Sequence, residues 1–241
     1  MLGFVRPPGL DFAQGLTSHA GPGPDYELAL NQHAAYCKAL QACGVRLVML
    51  DELTGFPDAC FIEDTALVLS KAAIMLRPGH PTRQGEVASI AYALGAHRKL
   101  QSIEAPGTVD GGDLVRAEKH IFIGRSARTN AEGAAQLSDL LTEHGYTSSE
   151  VPVEEGLHLK SGVSYIGENR LVLTPHFAQN PAFRHFDHIV LQPEEGYAAN
   201  CIMTQKKLII ADKFPVFQQQ LAALDIPFLA LDMSEFRKMD G

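Results

Sequence analysis

The sequence predicts an α/β protein made of repeated small units, a propeller or array with pseudo-five-fold repeats, and three observations carry that prediction. A helix, a strand, an acidic or polar loop and a hairpin recur in that order along the chain. Asp64, Asp113 and Gly162 stand at corresponding places about 49 residues apart, Asn200 follows at a shorter interval, and periods of this size mark propellers and arrays. Five helix-strand units can be counted against four full hairpins, with one N-terminal strand left over. A ring of five closes if a further strand pairs with that N-terminal strand, because circular arrays join first and last units to remove exposed edges. The expectation is one domain over residues 1–241 that lacks a short closing strand, the sequence stopping short of the natural C-terminus.

The leftover strand is Gly3 to Arg6, stopped by Pro7-Pro8-Gly9 and followed by a polar loop through Gly15-Leu16-Thr17-Ser18. Asp25 reads as the cap of a helix over Tyr26 to Ala42, where the apolar positions Leu28, Leu30, Ala34, Ala35, Cys37 and Leu40 suit a helix. Gly44 stops it, and a strand Val45 to Leu50 follows. After Phe56-Pro57-Asp58 and the acids Glu63-Asp64, the runs Thr65–Leu69 and Ala72–Leu76 form the first hairpin. The order then repeats: a helix from about Gly85 to Leu94, a strand at Leu100–Ile103, the acidic loop Asp110–Asp113, and a hairpin of Leu114-Val115 with His120–Ile123. A third helix, Asn130 to His144, leads to a strand near Val151–Val153, the loop His158–Gly162, and a hairpin of Val163–Ile166 with Leu171–Thr174 turning at Gly167-Glu168-Asn169. A fourth helix near Ala178–Phe186 leads to Ile189–Leu191, then Asn200-Cys201 and a hairpin turning at Gln205-Lys206-Lys207. A last helix, Val216 to Leu224, ends in the strand Phe228–Leu231.

Of the 241 residues 46% are hydrophobic, ample for a large buried core. A net charge of −8 disfavours nucleic acid, whose binding depends on Lys and Arg neutralising phosphates, and suits a cationic small molecule. No apolar run approaches the ~20 residues a membrane span needs. Met1-Leu2-Gly3-Phe4-Val5-Arg6-Pro7 lacks a basic region ahead of a signal-peptide core, so the expected location is the cytoplasm. Cys37, Cys43, Cys60 and Cys201 have no CxxC spacing, which fits reduced core thiols rather than a zinc ribbon or redox pair.

The chemistry centres on Thr108-Val109-Asp110-Gly111-Gly112-Asp113, where two acids bracket a Gly-Gly pair that lets backbone and ligand approach closely. Alone, Asp110 and Asp113 are ordinary turn residues. If the hairpins form a ring, however, their entrances converge on one end of its axis and bring together Asp58, Glu63, Asp64, Asp110, Asp113 and His158. Clustered carboxylates need a compensating cation or hydrogen bonds, and a planar guanidinium suits their forked geometry. His158 beside a carboxylate is a candidate general acid/base, against the plainer reading of one histidine among ten. Arg83 and Arg128 stand at the starts of predicted helices, a position unfavourable for a cation, which points to an anion such as an amino-acid carboxylate as strongly as to a plain solvated arginine. The loop Leu16–Ser18 is placed to cover a ligand.

Taken together, Phe56-Pro57-Asp58, Phe61-Ile62-Glu63-Asp64, Glu104 to Asp113, Ser126-Ala127-Arg128-Thr129-Asn130, Leu157-His158-Leu159-Lys160 and Ala198-Ala199-Asn200-Cys201-Ile202 resemble the dimethylarginine dimethylaminohydrolases over nearly the whole chain. The resemblance implies the five-bladed α/β-propeller, or pentein, of the guanidino-modifying superfamily. It implies hydrolysis of Nω-methylated arginine to citrulline and a methylamine with no cofactor and no metal. A cysteine thiolate attacks the guanidinium carbon, and His158 protonates the leaving amine and then activates water. By the same resemblance Asp110 orients the histidine, Asp58 and Asp64 bind the guanidinium with Glu63 beside them, Arg83 and Arg128 hold the substrate carboxylate, and Leu16 lies on a lid. The family nucleophile is expected shortly after Gly241, and Cys201 matches a family cysteine that is not the nucleophile. The competing expectations are a related arginine deiminase, for whose inserted helical domain there is no room, and a non-catalytic binding protein on the same ring. The expected partner is a small molecule, with no nucleic acid and no membrane, and a homo-oligomer is left open.

Overall fold

The computed structural model describes residues 1–241. The N-terminal strand β1 (Leu2–Val5) runs through a long loop to α1 (Tyr26–Ala42), which starts where the Asp25 carboxylate accepts the Leu28 N–H. β2 (Arg46–Met49) follows. Next come β3 (Ala66–Val68), β4 (Ala72–Met75), α2 (Val87–Gly95) and β5 (Lys99–Ser102). The following repeat holds β6 (Leu114–Ala117), β7 (His120–Arg125), α3 (Ala131–Glu143, capped by Asn130) and β8 (Thr147–Pro152). β9 (Val163–Tyr165), β10 (Arg170–Leu173), α4 (Pro175–Ala178) and β11 (Asp187–Val190) form the next. The chain ends with β12 (Ile202–Met203), β13 (Leu208–Ala211), α5 (Pro215–Ala223), β14 (Phe228–Leu231) and α6 (Ser234–Arg237).

Four sheets share one plan, with orders β3-β4-β5, β6-β7-β8, β9-β10-β11 and β12-β13-β14. In each the middle strand pairs antiparallel with its predecessor and parallel with its successor; Phe122 of β7, for instance, stands opposite Val115 on one side and Ser149 on the other. The fifth sheet is the parallel pair β1-β2. The hairpin turn after β9 places Glu168 and Asn169 at φ of 50° and 58°, the left-handed pair that matches strand twist in a two-residue turn.

The apolar clusters lie between neighbouring sheets. Ile74 of β4 packs with Ile121 of β7 under Leu137 and Leu141 of α3. Phe122 of β7 joins Leu171 of β10, Val172 of β10 joins Leu208 of β13, and Ile209 of β13 joins Val5 of β1. A further cluster ties Met75 of β4 to Phe4 of β1. The cores therefore link each sheet to the next and the last back to the first. No helix is long and apolar enough to cross a membrane.

The expected helix over 178–186 is instead two short pieces, α4 and a single 3-10 turn at Pro181–Phe183, because Pro181 has no N–H to continue a helix and Asn180 restarts the chain by accepting the Ala182 N–H. The helix expected from Gly85 begins as 3-10 structure over Pro81–Glu86. β8 starts at Thr147, earlier than the expected Val151, since polar Thr147 and Ser149 hide no apolar alternation yet still pair with β7. The short α6 was not anticipated.

Candidate active site

Three acidic or polar loops before β3, β6 and β9 each wind into one 3-10 turn, at Ile62–Thr65, Gly111–Asp113 and Leu159–Ser161, and the middle turn touches both of the others. Their convergence brings Asp64, Asp110 and His158 together, with one polar atom of each within 4.8 Å of the others. All three side chains are buried.

Gly112 makes the approach possible. Its N–H donates to Asp64 Oδ1 at 2.7 Å, and a Cβ there would stand 2.7 Å from His158 Nδ1, so only glycine lets the backbone lie against the imidazole. His158 Nε2 meets Asp110 Oδ2 at 3.0 Å, and Asp110 Oδ1 accepts the Gly79 N–H at 2.7 Å. With Nε2 engaged, Nδ1 is the nitrogen that remains for proton transfer. Burial alone would lower the His158 pKa, but the hydrogen bond to Asp110 and the charges of Asp64, Asp113 and Asp110 outweigh it, so the histidine is held above its ordinary value. That favours an imidazolium able to donate a proton near neutral pH.

Asp64 Oδ2 pairs with the Arg83 guanidinium at 2.5 Å. Burial pushes the Asp64 pKa up, but Arg83, His158 and the Gly112 N–H together hold it below the usual carboxylate range. Asp58 goes the other way: burial raises it despite the Leu16 N–H, which both its oxygens accept at 3.1 and 3.2 Å. Asp58 thereby pins the Leu16 loop to the site. Thr17 and Ser18 extend that tether, the first donating to the Lys238 carbonyl and the second to the Asp240 carboxylate.

Two expected residues stand otherwise than the sequence suggested. Arg83 faces anions as expected, but they belong to the protein: besides Asp64 it forks onto Glu86 through Nε at 3.0 Å and Nη2 at 2.8 Å, and it donates to the carbonyls of Asp58 and Phe61. Its guanidinium is thus saturated by buried acids and carbonyls, because desolvating a cation is tolerable only when every donor finds a partner. Glu63 turns away from Asp64 to an exposed ion pair with Lys160 at 2.7 Å, so it lies at the rim of the site rather than beside the buried acid. Arg128 stands 3.7 Å from Asp110, with a seventh of its side chain still exposed.

Asp64, Asp110 and His158 would also be a candidate cation trio, but every carboxylate oxygen of the two acids already accepts a donor or an arginine. The donor set is complete with N–H groups, and an ion would have to displace them. Cys60 and Cys201 line the same cavity, and burial pushes both thiols up, Cys201 to about 12, so neither is a ready thiolate. Sequence reasoning missed Glu86 and Gly79. The first had a signal, since Glu86 follows Arg83 by three residues on one turn; the second is a backbone contact that no side-chain pattern encodes.

The cavity measures about 420 Å³ and is lined on its polar side by Leu16, Asp58, Asp64, Arg83, Arg128 and His158. A volume of this size suits an amino-acid-sized ligand. A sequence model of the family described as N,N dimethylarginine dimethylhydrolase, eukaryotic, matches residues 25–185. The N(G),N(G)-dimethylarginine dimethylaminohydrolase of Pseudomonas aeruginosa is 42% identical over 99% of this chain and 94% of its own length. The chain belongs to the dimethylarginine dimethylaminohydrolase family. A second member, from Streptomyces coelicolor, is 33% identical over 99% of this chain and 92% of its own. A Cys-to-Ser variant of the Pseudomonas aeruginosa enzyme, complexed with citrulline, superimposes with a TM-score of 0.97 at 41% identity, covering 99% of this chain and 94% of that one. The N-terminal domain of ArgZ, an arginine dihydrolase, shares the fold at a TM-score of 0.89 and 16% identity, covering 99% of this chain and 93% of that one.

Proposed function

We propose that the protein hydrolyses Nω-methylated L-arginine to L-citrulline and a methylamine, and that its five sheets close as a five-bladed α/β-propeller forming one domain over residues 1–241. The closed cycle of inter-sheet cores supports the architecture. The observation that carries the chemistry is His158, held on Asp110 and raised in pKa, beside buried Asp64 at the floor of a cavity of amino-acid size.

In this reading Asp58 and Asp64 receive the substrate guanidinium, whose planar donors match paired carboxylate oxygens. Arg83 trades part of its bond to Asp64 for the incoming ligand while Glu86 keeps hold of it. Arg128, with Arg83, receives the substrate carboxylate, Leu16 closes over the amino-acid end, and Glu63 guards the rim. A thiolate adds to the guanidinium carbon. His158 gives its proton to the departing methylamine, leaving a covalent thiouronium; the now neutral imidazole takes a proton from water, which adds to the same carbon and releases citrulline and the thiol. The family resemblance puts a cysteine thiolate in that role, and the two cysteines that line the cavity, Cys60 and Cys201, are both held toward the thiol by burial. The partner is a small molecule, and four free cysteines fit a cytoplasmic setting.

The test is citrulline and dimethylamine release from dimethylarginine by the protein, with arginine and agmatine in parallel. Release from dimethylarginine that is lost in His158→Gly supports the reading. Equal turnover of arginine moves the assignment to a deiminase, and tight binding without turnover moves it to a binding protein.

A further inference from the structure

We propose that Asp113, which the catalytic scheme does not use, is the positioning residue that sets His158, Arg128 and Asp110 in one arrangement from behind the site. The proposal rests on the hydrolase reading for its kinetic consequence but on geometry for its substance. Asp113 is fully buried and lies outside the cavity lining, so it does not meet substrate. Its two oxygens nevertheless collect donors from two loops distant in sequence. Oδ1 accepts the Leu159 N–H at 3.0 Å, the amide immediately after His158. Oδ2 accepts the Ser126 hydroxyl at 2.6 Å and the Thr129 hydroxyl at 2.7 Å, the two residues that bracket Arg128.

The relay continues on both sides. Ser126 Oγ accepts the Arg128 and Thr129 N–H groups, which fixes the backbone of the arginine loop. Thr129 Oγ1 accepts the Asp110 N–H at 3.2 Å, so the acid that holds the histidine is tied to the same carboxylate through one hydroxyl. Gly124 of β7 leaves the necessary room, since a Cβ there would stand 2.8 Å from Asp113 Oδ1 and 2.8 Å from Leu159 Cβ. A turn aspartate would need none of this. Three charge-assisted hydrogen bonds to a desolvated carboxylate are rigid and directional, and catalytic groups held by such a shell keep the sub-ångström geometry that proton transfer requires.

The carboxylate also acts through its charge. His158 is faced by Asp64, Asp110 and Asp113, with Arg128 as the nearby opposing cation on Asp110; burial raises the pKa of Asp113 itself, offset in part by His158 and its three donors, and its charge contributes to holding the imidazolium. Removing its charge at constant size moves the histidine titration to lower pH.

The experiment compares Asp113→Asn and Thr129→Val with the parent protein. Asparagine can still accept the Leu159 N–H, and the Thr129 hydroxyl, which accepts only the Asp110 N–H, can turn to accept from its amide, so most of the arrangement is retained and the charge is lost. For Asp113→Asn the expectation is a fall in kcat/KM of about 10- to 100-fold on dimethylarginine, with the His158 titration, read by NMR of the labelled ring, shifted to lower pH. Thr129→Val should raise KM without that shift, since it frees the arginine loop and leaves the charge. An Asp113→Asn protein whose titration is unmoved and whose kcat/KM stays within about twofold overturns the proposal. So does a loss of activity that only tracks a lowered melting temperature. The NMR titration needs no turnover, so a parent protein that makes no citrulline defeats the hydrolase reading separately from an unmoved titration, which defeats this one.

Discussion

Replacing Asp64 by asparagine isolates one charge at the floor of the cavity. Asp64 accepts the Gly112 N–H through Oδ1 and pairs with Arg83 through Oδ2, and the two side chains are only 8% and 5% exposed. In Asp64→Asn the new side chain would keep its carbonyl for Gly112 but turn an amide donor toward the Arg83 guanidinium. Removing one partner of a buried pair costs about 3–5 kcal/mol. Arg83 retains its fork on Glu86 and two backbone carbonyls, so its charge is not orphaned and the expected loss is about 2–3 kcal/mol at pH 7. The assay is urea unfolding at constant slope, the midpoint reporting stability. Because the Asp64 pKa is depressed on folding, its contribution is present above the unfolded value of about 3.9 and is lost as pH falls through the folded value. The gap between parent and Asp64→Asn should therefore be constant near neutrality and close in acid below about pH 4. An equal midpoint at pH 7, or a gap that persists undiminished at about pH 2, would refute the account of Asp64 as the ionised partner of Arg83.

Three further outcomes follow from the same geometry. Gly112→Ala puts a Cβ 2.7 Å from His158 Nδ1 and 3.2 Å from Asp64 Oδ1; displacing these groups should remove at least about 100-fold of turnover at a stability cost of about 1–3 kcal/mol, checked by citrulline release beside thermal melting. His158→Gln removes a group whose pKa is raised on folding. The stability His158 contributes is complete below the unfolded value of about 6.5 and fades as pH rises through the folded value, so parent and variant should converge on the alkaline side, opposite in sign to Asp64; unfolding midpoints from about pH 6 to 9 read this directly. Leu137→Ala, at a fully buried position between α3 and the strands β4 and β7, should cost about 2–5 kcal/mol while leaving citrulline affinity unchanged, measured by calorimetry at a temperature where the variant is folded.

Much of this molecule is local enough to be read from sequence. Asp25 and Asn130 announce helix starts through side chains that reach their own next turn. Gly167-Glu168-Asn169 announces a hairpin through the left-handed backbone that such residues tolerate. The spacing of Asp64, Asp113 and Gly162 carries the repeat, and with it the idea that hairpin entrances share one end of the fold. His158, Asp110 and Asp64 were legible as a set for that reason, though the chain separates the last two by 46 residues and the first two by 48.

The tertiary structure alone decided who holds whom. Arg83 and Glu63 both reach the cavity, but only the structure shows that Arg83 is meanwhile held by Asp64 and Glu86 and that Glu63 pairs with Lys160. Asp113 looked equivalent to Asp110 in the hexapeptide, yet Asp110 meets the histidine ring and Asp113 meets the backbone behind it. Sequence pattern fixes a residue's place along a strand or turn, which depends on neighbours a few positions away. The partner of a buried charge depends on which loops from other sheets arrive within about 3 Å, and the pKa that results follows from desolvation and from those distant partners together. Only the closed packing of sheet against sheet supplies both.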